Sequence, residues 1–146
     1  MAITRFAEAS WQGSLLEGSG SIDYVSSGAF TRLPVTWASR TEAHQGRTSP
    51  EELIAAAHAA CFSMAFSSQL AKNSTPADKL TVKVVITFDK REAGWAIARS
   101  DITVRGSVPG IDEATFARLA EAAKDGCPVS GALKGNVELA VDAKLD

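Results

Sequence analysis

Residues 48–67 read TSPEELIAAAHAACFSMAFS, and this stretch decides how the chain is built. Ser49 is a good N-cap, Pro50 suits the first helical position, and Glu52 sits where a capping-box carboxylate belongs. The pattern predicts a helix running to about Ala71. It ends near Lys72-Asn73, where a cation and an αL-tolerant residue suit a C-terminus. The middle of this helix is apolar on nearly every face and rich in alanine, which predicts that the rest of the fold encloses it. The apolar run from Leu53 to Phe66 is too short to span a bilayer and contains His58 and Ser63.

The segments on either side have the period of strands. Arg5 to Gln12 alternates, Ser21–Val25 follows Gly18-Ser19-Gly20, and a third strand is predicted over Leu33–Ser39, with Pro34 placing it at an edge or a start. Thr41 to Thr48 is polar and reads as a loop that could carry function. Beyond the helix, TVKVVITFD (81–89) and WAIARSDITVRGSV (95–108) predict a long hairpin, with its turn around Glu92–Gly94. Asp112 then caps a second helix with Phe116, Leu119, Ala120 and Ala123 on its buried stripe. Gly126 ends that helix, Pro128 restarts a short helical turn to Leu133, and Val137–Leu145 closes the chain as a strand. The order βββ-α-ββ-α-β, with no repeat or linker, predicts one α+β domain over residues 1–146.

At 146 residues the chain is long enough to bury a core without staples. It is 45% hydrophobic and 22% charged, with a formal net charge of -2 and scattered basic residues. That balance gives no electrostatic case for nucleic acid or an anionic membrane as partner. The opening MAITRFAEASWQG lacks the pattern of a secretory signal, so the expected compartment is the cytoplasm. A stable structural disulfide is not expected there, whereas a transient catalytic one is.

The chain has two cysteines. Cys61 lies in the apolar helix, where free cysteine usually serves as a small hydrophobe and burial raises the thiol pKa. If Cys61 reacts, a cation must be brought to it, and Arg40 and Arg47 are the local candidates. Cys127, in KDGCPVSGAL (124–133), would be the N-cap of the turn that Pro128 starts, where the helix dipole favours a thiolate. Local physics therefore makes Cys127 the more acidic thiol.

Glu51 lies ten residues before Cys61, about 15 Å along a straight helix. The two cannot touch within one helix, but antiparallel copies packed across a two-fold could bring Glu51 of one chain beside Cys61 of the other. A homodimer is the expectation that follows. The simpler reading of Glu51 and Glu52 is that both complement the helix N-terminus.

The residues 48–67 and GCPVSGAL (126–133) closely resemble the two cysteine motifs of the osmotically inducible protein C / organic hydroperoxide resistance (OsmC/Ohr) family. The similarity extends to ASWQG (9–13), VPGID (108–112) and the final strand, and HAACFSMA resembles the osmotically inducible branch. The resemblance implies an OsmC-like α+β subunit in an intertwined homodimer with its active sites at the subunit interface. It implies a thiol-dependent peroxidase of stress defence that reduces organic hydroperoxides to alcohols without metal or organic cofactor. Cys61 matches the peroxidatic cysteine and Cys127 the resolving one, which reverses the order suggested by local physics. Arg40, in WASR (37–40), would hold the Cys61 thiolate and polarise the peroxide, with Glu51 orienting it. The implied reductant is an external dithiol such as a lipoylated protein. Phe62, Met64 and Phe66 are candidates to line an alkyl pocket, or are simply core.

Two rivals have different chemistry. His58, Cys61, Cys127 and His44 are ligand types for zinc, but their spacing is loose. A non-enzymatic dimeric stress protein or apolar-ligand binder would leave the cysteines as relics, and the joint presence of both cysteines, Arg40 and Glu51 speaks against it. Trp11, Trp37 and Trp95 read as core or interface residues rather than ligand platforms.

Overall fold

The alternating segments form strands and the apolar 3.6-period segments form helices. A computed structural model describes residues 1–146. It divides into two compact units, Met1–Leu53 and Ile54–Asp146.

In the first unit, β1 (Ala7–Gln12), β2 (Ser19–Val25) and β3 (Thr31–Val35) form an antiparallel sheet in that order. Pro34 lies on an edge strand, as its missing N–H requires. Gly20 faces Trp11 across the β1–β2 ladder, and a Cβ there would stand 2.7 Å from the indole. Glycine is what lets the Trp11 ring lie down on β2.

The third strand stops at Val35 rather than reaching Ser39. Trp37–Thr41 instead forms a short helix, α1. Thr36 caps it: its hydroxyl accepts from the Ser39 amide at 3.1 Å, and the Ser39 hydroxyl accepts from the Thr36 amide at 3.0 Å. This reciprocal box satisfies donors that a continuing strand would have had to pair.

The long helix α2 runs over Pro50–Lys72. The Ser49 hydroxyl accepts from the Glu52 amide at 3.2 Å, as an N-cap should. The Glu52 carboxylate takes the Thr48 hydroxyl at 3.0 Å, so it does not close the box on the cap backbone as expected. At the other end Ser74, not Asn73, takes the left-handed conformation, and the Ser74 and Thr75 amides close on Ala71 and Leu70 carbonyls. The expectation that α2 is enclosed on all sides is also corrected. Beyond its first turn one stripe is buried, His58, Phe62, Phe66 and Leu70, at i, i+4 spacing. Ala56, Ala57, Ala60 and Met64 face outward, Met64 being 70% exposed. The helix is long and apolar enough to cross a membrane by length and composition, a test that core helices of soluble proteins also pass.

In the second unit, β4 (Lys79–Arg91) and β5 (Gly94–Ser107) make the hairpin, and β6 (Glu138–Leu145) pairs parallel to β5. That parallel pairing demands a crossover, supplied by α3 (Glu113–Gly126) and α4 (Pro128–Leu133). The Asp112 carboxylate caps α3 by accepting from the Thr115 amide at 2.9 Å. Phe116, Leu119, Ala120 and Ala123 form its buried stripe, as their spacing predicts. Phe66 meets Phe116 with ring centroids 5.0 Å apart and Phe62 at 5.6 Å, a tilted aromatic stack at the centre of the core. Gly106 allows this approach, since a Cβ there would lie 2.8 Å from the Phe116 ring.

Candidate active site

In the first unit, α1 carries Arg40 in its last turn and α2 carries Glu51 in its first. Arg40 Nη2 donates to Glu51 Oε1 at 2.7 Å and Nε donates to Oε2 at 3.2 Å. This two-pronged pairing is geometry that a lysine could not reproduce. Glu51 is buried, so its charge needs such a partner. The Trp37 ring lies 5.5 Å from the guanidinium carbon and adds a cation–π contact. Carboxylate and indole together fix the arginine head.

Beside this pair lies an apolar cavity of about 360 Å³, lined by Trp11, Leu15, Val35, Thr36, Trp37, Arg40 and Pro50. The expected pocket residues are elsewhere. Phe62 and Phe66 are wholly buried core, and Met64 is on the outer face of α2. Trp11 and Trp37, assigned from sequence to core or interface, line the cavity instead. ASWQG and WASR contain the two tryptophans, but nothing in their spacing shows that β1 and α1 converge.

In the second unit, Cys61 Sγ and Cys127 Sγ are 3.1 Å apart, both as free thiols. Cys61 is partly exposed, whereas Cys127 is 1% exposed. Cys127 is at once the C-cap of α3 and the N-cap of α4. Burial pushes its thiol up, but the Ser130 amide, the Cys61 thiol, the Ser130 hydroxyl and the Val129 amide outweigh it, and the net direction is down. Burial pushes Cys61 up, the hydrogen bond with Cys127 adds to this, and the Val129 amide opposes it only in part. Within this unit Cys127 is thus the more acidic sulfur, as its cap position predicts, and Cys61 the more accessible one.

His58, one helical turn before Cys61, is wholly buried. Its Nδ1 lies 2.8 Å from Ser100 Oγ and its Nε2 lies 2.8 Å from Ser130 Oγ. Burial pushes its pKa down, so the ring is neutral. Both ring nitrogens are engaged with hydroxyls, and no group of three or more His, Cys, Asp or Glu side chains assembles as a ligand set. The four residues predicted from sequence therefore occur pairwise: Arg40 with Glu51 in the first unit, Cys61 with Cys127 in the second.

The profile of the OsmC-like protein family matches residues 43–142. Peroxiredoxin OsmC of Escherichia coli is 39% identical over 139 residues, 95% of this chain and 96% of the relative. An organic hydroperoxide resistance protein of Xanthomonas axonopodis is 33% identical over 63% of both chains. Among solved structures, the organic hydroperoxide resistance protein OhrB of Bacillus subtilis superposes with a TM-score of 0.73 at 25% identity, covering 95% of this chain and 98% of that one. A Legionella pneumophila organic hydroperoxide resistance protein OsmC gives a TM-score of 0.76 at 21% identity and shares the fold over 99% of both chains. With the profile spanning well over half its length and a relative at 39% identity along nearly all of it, the chain belongs to the OsmC-like protein family.

Proposed function

We propose that this protein is a thiol-dependent peroxidase that reduces organic hydroperoxides to alcohols. The observation that carries the reading is the reduced Cys61–Cys127 pair, 3.1 Å apart, with one sulfur reachable from solvent and the other buried. A peroxide can reach Cys61 alone, so Cys61 is the attacking sulfur even though Cys127 is the more acidic. The missing acidity is the role assigned to Arg40, whose head Glu51 and Trp37 hold in place. Relatives named peroxiredoxin and organic hydroperoxide resistance protein support a peroxide-related redox function.

The Cys61 thiolate attacks the distal oxygen of the hydroperoxide, the O–O bond breaks, and the alkoxide takes a proton to leave as the alcohol. Cys61 is left as a sulfenic acid. Cys127 thiolate then attacks that sulfur, the S–O bond breaks, and hydroxide leaves as water with a proton from solvent. An external dithiol, a lipoylated protein or a similar reductant, restores both thiols by exchange and is itself oxidised to its disulfide. The apolar cavity beside Arg40 is suited to the alkyl part of the substrate.

The working form in this reading is a cytoplasmic homodimer, supported by the exposed apolar face of α2. Dithiol-dependent turnover of cumene hydroperoxide is the test. The parent should consume it catalytically and Cys61→Ser should not. Equal turnover by the two would end the peroxidase reading and favour an apolar-ligand binder built on the same cavity.

A further inference from the structure

The two sulfurs that meet at 3.1 Å are carried by helices rather than by loose loops. Cys61 is in the middle of α2, and Cys127 is the joint between α3 and α4. No segment has to close before one atom can bond to both, so a two-thiol ligand set is assembled in advance. Cys127 belongs to the apolar core cluster and Cys61 packs against it. Cys61 remains partly exposed, which leaves one way in.

Three properties of the pair select what it can hold. The first is its bite. An atom bonded to both sulfurs at about 2.3 Å, the zinc–thiolate length, would see them at about 85° across their 3.1 Å separation. A tetrahedral ion needs a wider bite, and a linear two-coordinate ion a wider one still. Trivalent arsenic, pyramidal with a lone pair and sulfur bonds of similar length, bonds near right angles. The second property is number. The chain has two cysteines, and no third His, Cys, Asp or Glu joins them as a ligand. His58, one turn away, has both ring nitrogens on serine hydroxyls at 2.8 Å. Zinc would lack two ligands here and arsenite one, whereas an arsenic already bonded to one carbon lacks none. The third is charge. A carbon-substituted dithioarsenite is neutral, so forming it against the core buries no ion. A copper(I) bis-thiolate would bury a negative one.

We propose that Cys61 and Cys127 form a chelating site for monosubstituted trivalent arsenicals, the alkyl- and arylarsenous acids. Each thiol gives its hydrogen to an arsenic-bound hydroxyl. Two S–H and two As–O bonds break, two As–S bonds form, and two waters leave. Arsenic stays trivalent, and nothing is oxidised or reduced. The carbon substituent points out beside Cys61, because Cys127 is only 1% exposed. With both sulfurs held, neither can attack or resolve, so capture also stops the proposed peroxide chemistry. The site itself rests on the sulfur pair and not on the peroxidase reading.

The test is titration of the reduced protein with phenylarsine oxide, which hydrates to the arsenous acid, followed by intact mass. The parent should gain one phenylarsenic unit per chain at one equivalent and lose both thiol hydrogens. Cys61→Ser and Cys127→Ser, each limited to one As–S bond, should bind about a hundredfold more weakly or worse, the gain that a second tethered bond supplies. X-ray absorption at the arsenic edge of the parent adduct should show two sulfur neighbours and one carbon, a readout that needs no variant. Dithiothreitol should strip the arsenic, whereas mercaptoethanol at the same thiol concentration should not. Parent binding no tighter than that of either variant, two phenylarsenic units on one chain, a single sulfur neighbour, or release by mercaptoethanol overturns the proposal. A parent that captures one arsenic but does not consume cumene hydroperoxide ends the peroxidase reading and leaves this site standing. One that turns over the peroxide but takes up no arsenic ends this inference alone.

Discussion

Arg40 lies on Glu51 as a planar fork, two nitrogens on two carboxylate oxygens at 2.7 and 3.2 Å, so the arginine head has a fixed direction. Glu51→Gln removes the charge and one acceptor while keeping the shape. It should lower kcat/KM for an alkyl hydroperoxide by about tenfold or more, the scale of losing a charge-assisted hydrogen bond. Arg40→Lys, which cannot form the fork, should fare no better. Steady-state kinetics with a dithiol in excess decides it, and unchanged constants for both variants would remove the pair from the site.

Cys127→Ser should leave a single turnover intact and expose Cys61 to further oxidation. Intact mass after excess peroxide should then show sulfinic and sulfonic additions that the parent escapes. Identical spectra for the two proteins would contradict the resolving role.

The tilted stack of Phe62, Phe66 and Phe116 makes the core sensitive to truncation. Phe66, wholly buried at its centre, should cost about 3–5 kcal/mol as Phe66→Ala. Urea unfolding, followed by tryptophan fluorescence, measures this directly.

Acid should destabilise the fold through His58, whose folded pKa lies below its ordinary 6.5 because burial opposes the charge. Above that value both states are neutral and the ring has no pH effect. As pH falls below it the unfolded chain takes up a proton that the folded chain refuses, and stability declines until the folded pKa is passed. Asp112 and Asp142, also lowered, act only below their ordinary 3.8. The denaturation midpoint should therefore drop as pH falls below His58's ordinary 6.5, and His58→Gln should flatten that slope. A parent midpoint that stays constant on acidification below that value would contradict it.

The outward face of α2 sets the expected assembly. Met64, 70% exposed among alanines, should lie in a contact between copies. Light scattering should give a dimeric mass for the parent and a lower one for Met64→Glu, whereas a monomeric parent would refute the assembly.

Elements with strong local chemistry were legible in the sequence. Asp112 and the spacing of Phe116, Leu119, Ala120 and Ala123 define α3, and Ser49-Pro50 opens α2. The short α1 was not, because five residues show no helical period and its box closes with Ser39 rather than a glutamate or glutamine. The sidedness of α2 was hidden for another reason: alanine is apolar on every face, so the pattern does not say which face meets the core. Arg40, Glu51 and the two cysteines could be named as candidates, but the geometry within each pair depends on contacts between segments distant in sequence. His58 shows the limit clearly. Its partners are 42 and 72 residues away and are serines, a residue type too common to signal a role.

The crossover between parallel strands β5 and β6 has a consequence for how the protein reaches its native state. Cys127 sits in the middle of that crossover, 66 residues beyond Cys61. The two sulfurs meet only once α3 and α4 have docked, and non-local closure of this kind is slow compared with hairpin or helix formation. A newly made chain therefore passes through a stage with a helical Cys61 and no Cys127 beside it. An oxidant met at that stage would find a sulfur with no partner to protect it, so on the peroxidase reading Cys61 is more exposed to over-oxidation during synthesis than at any later time.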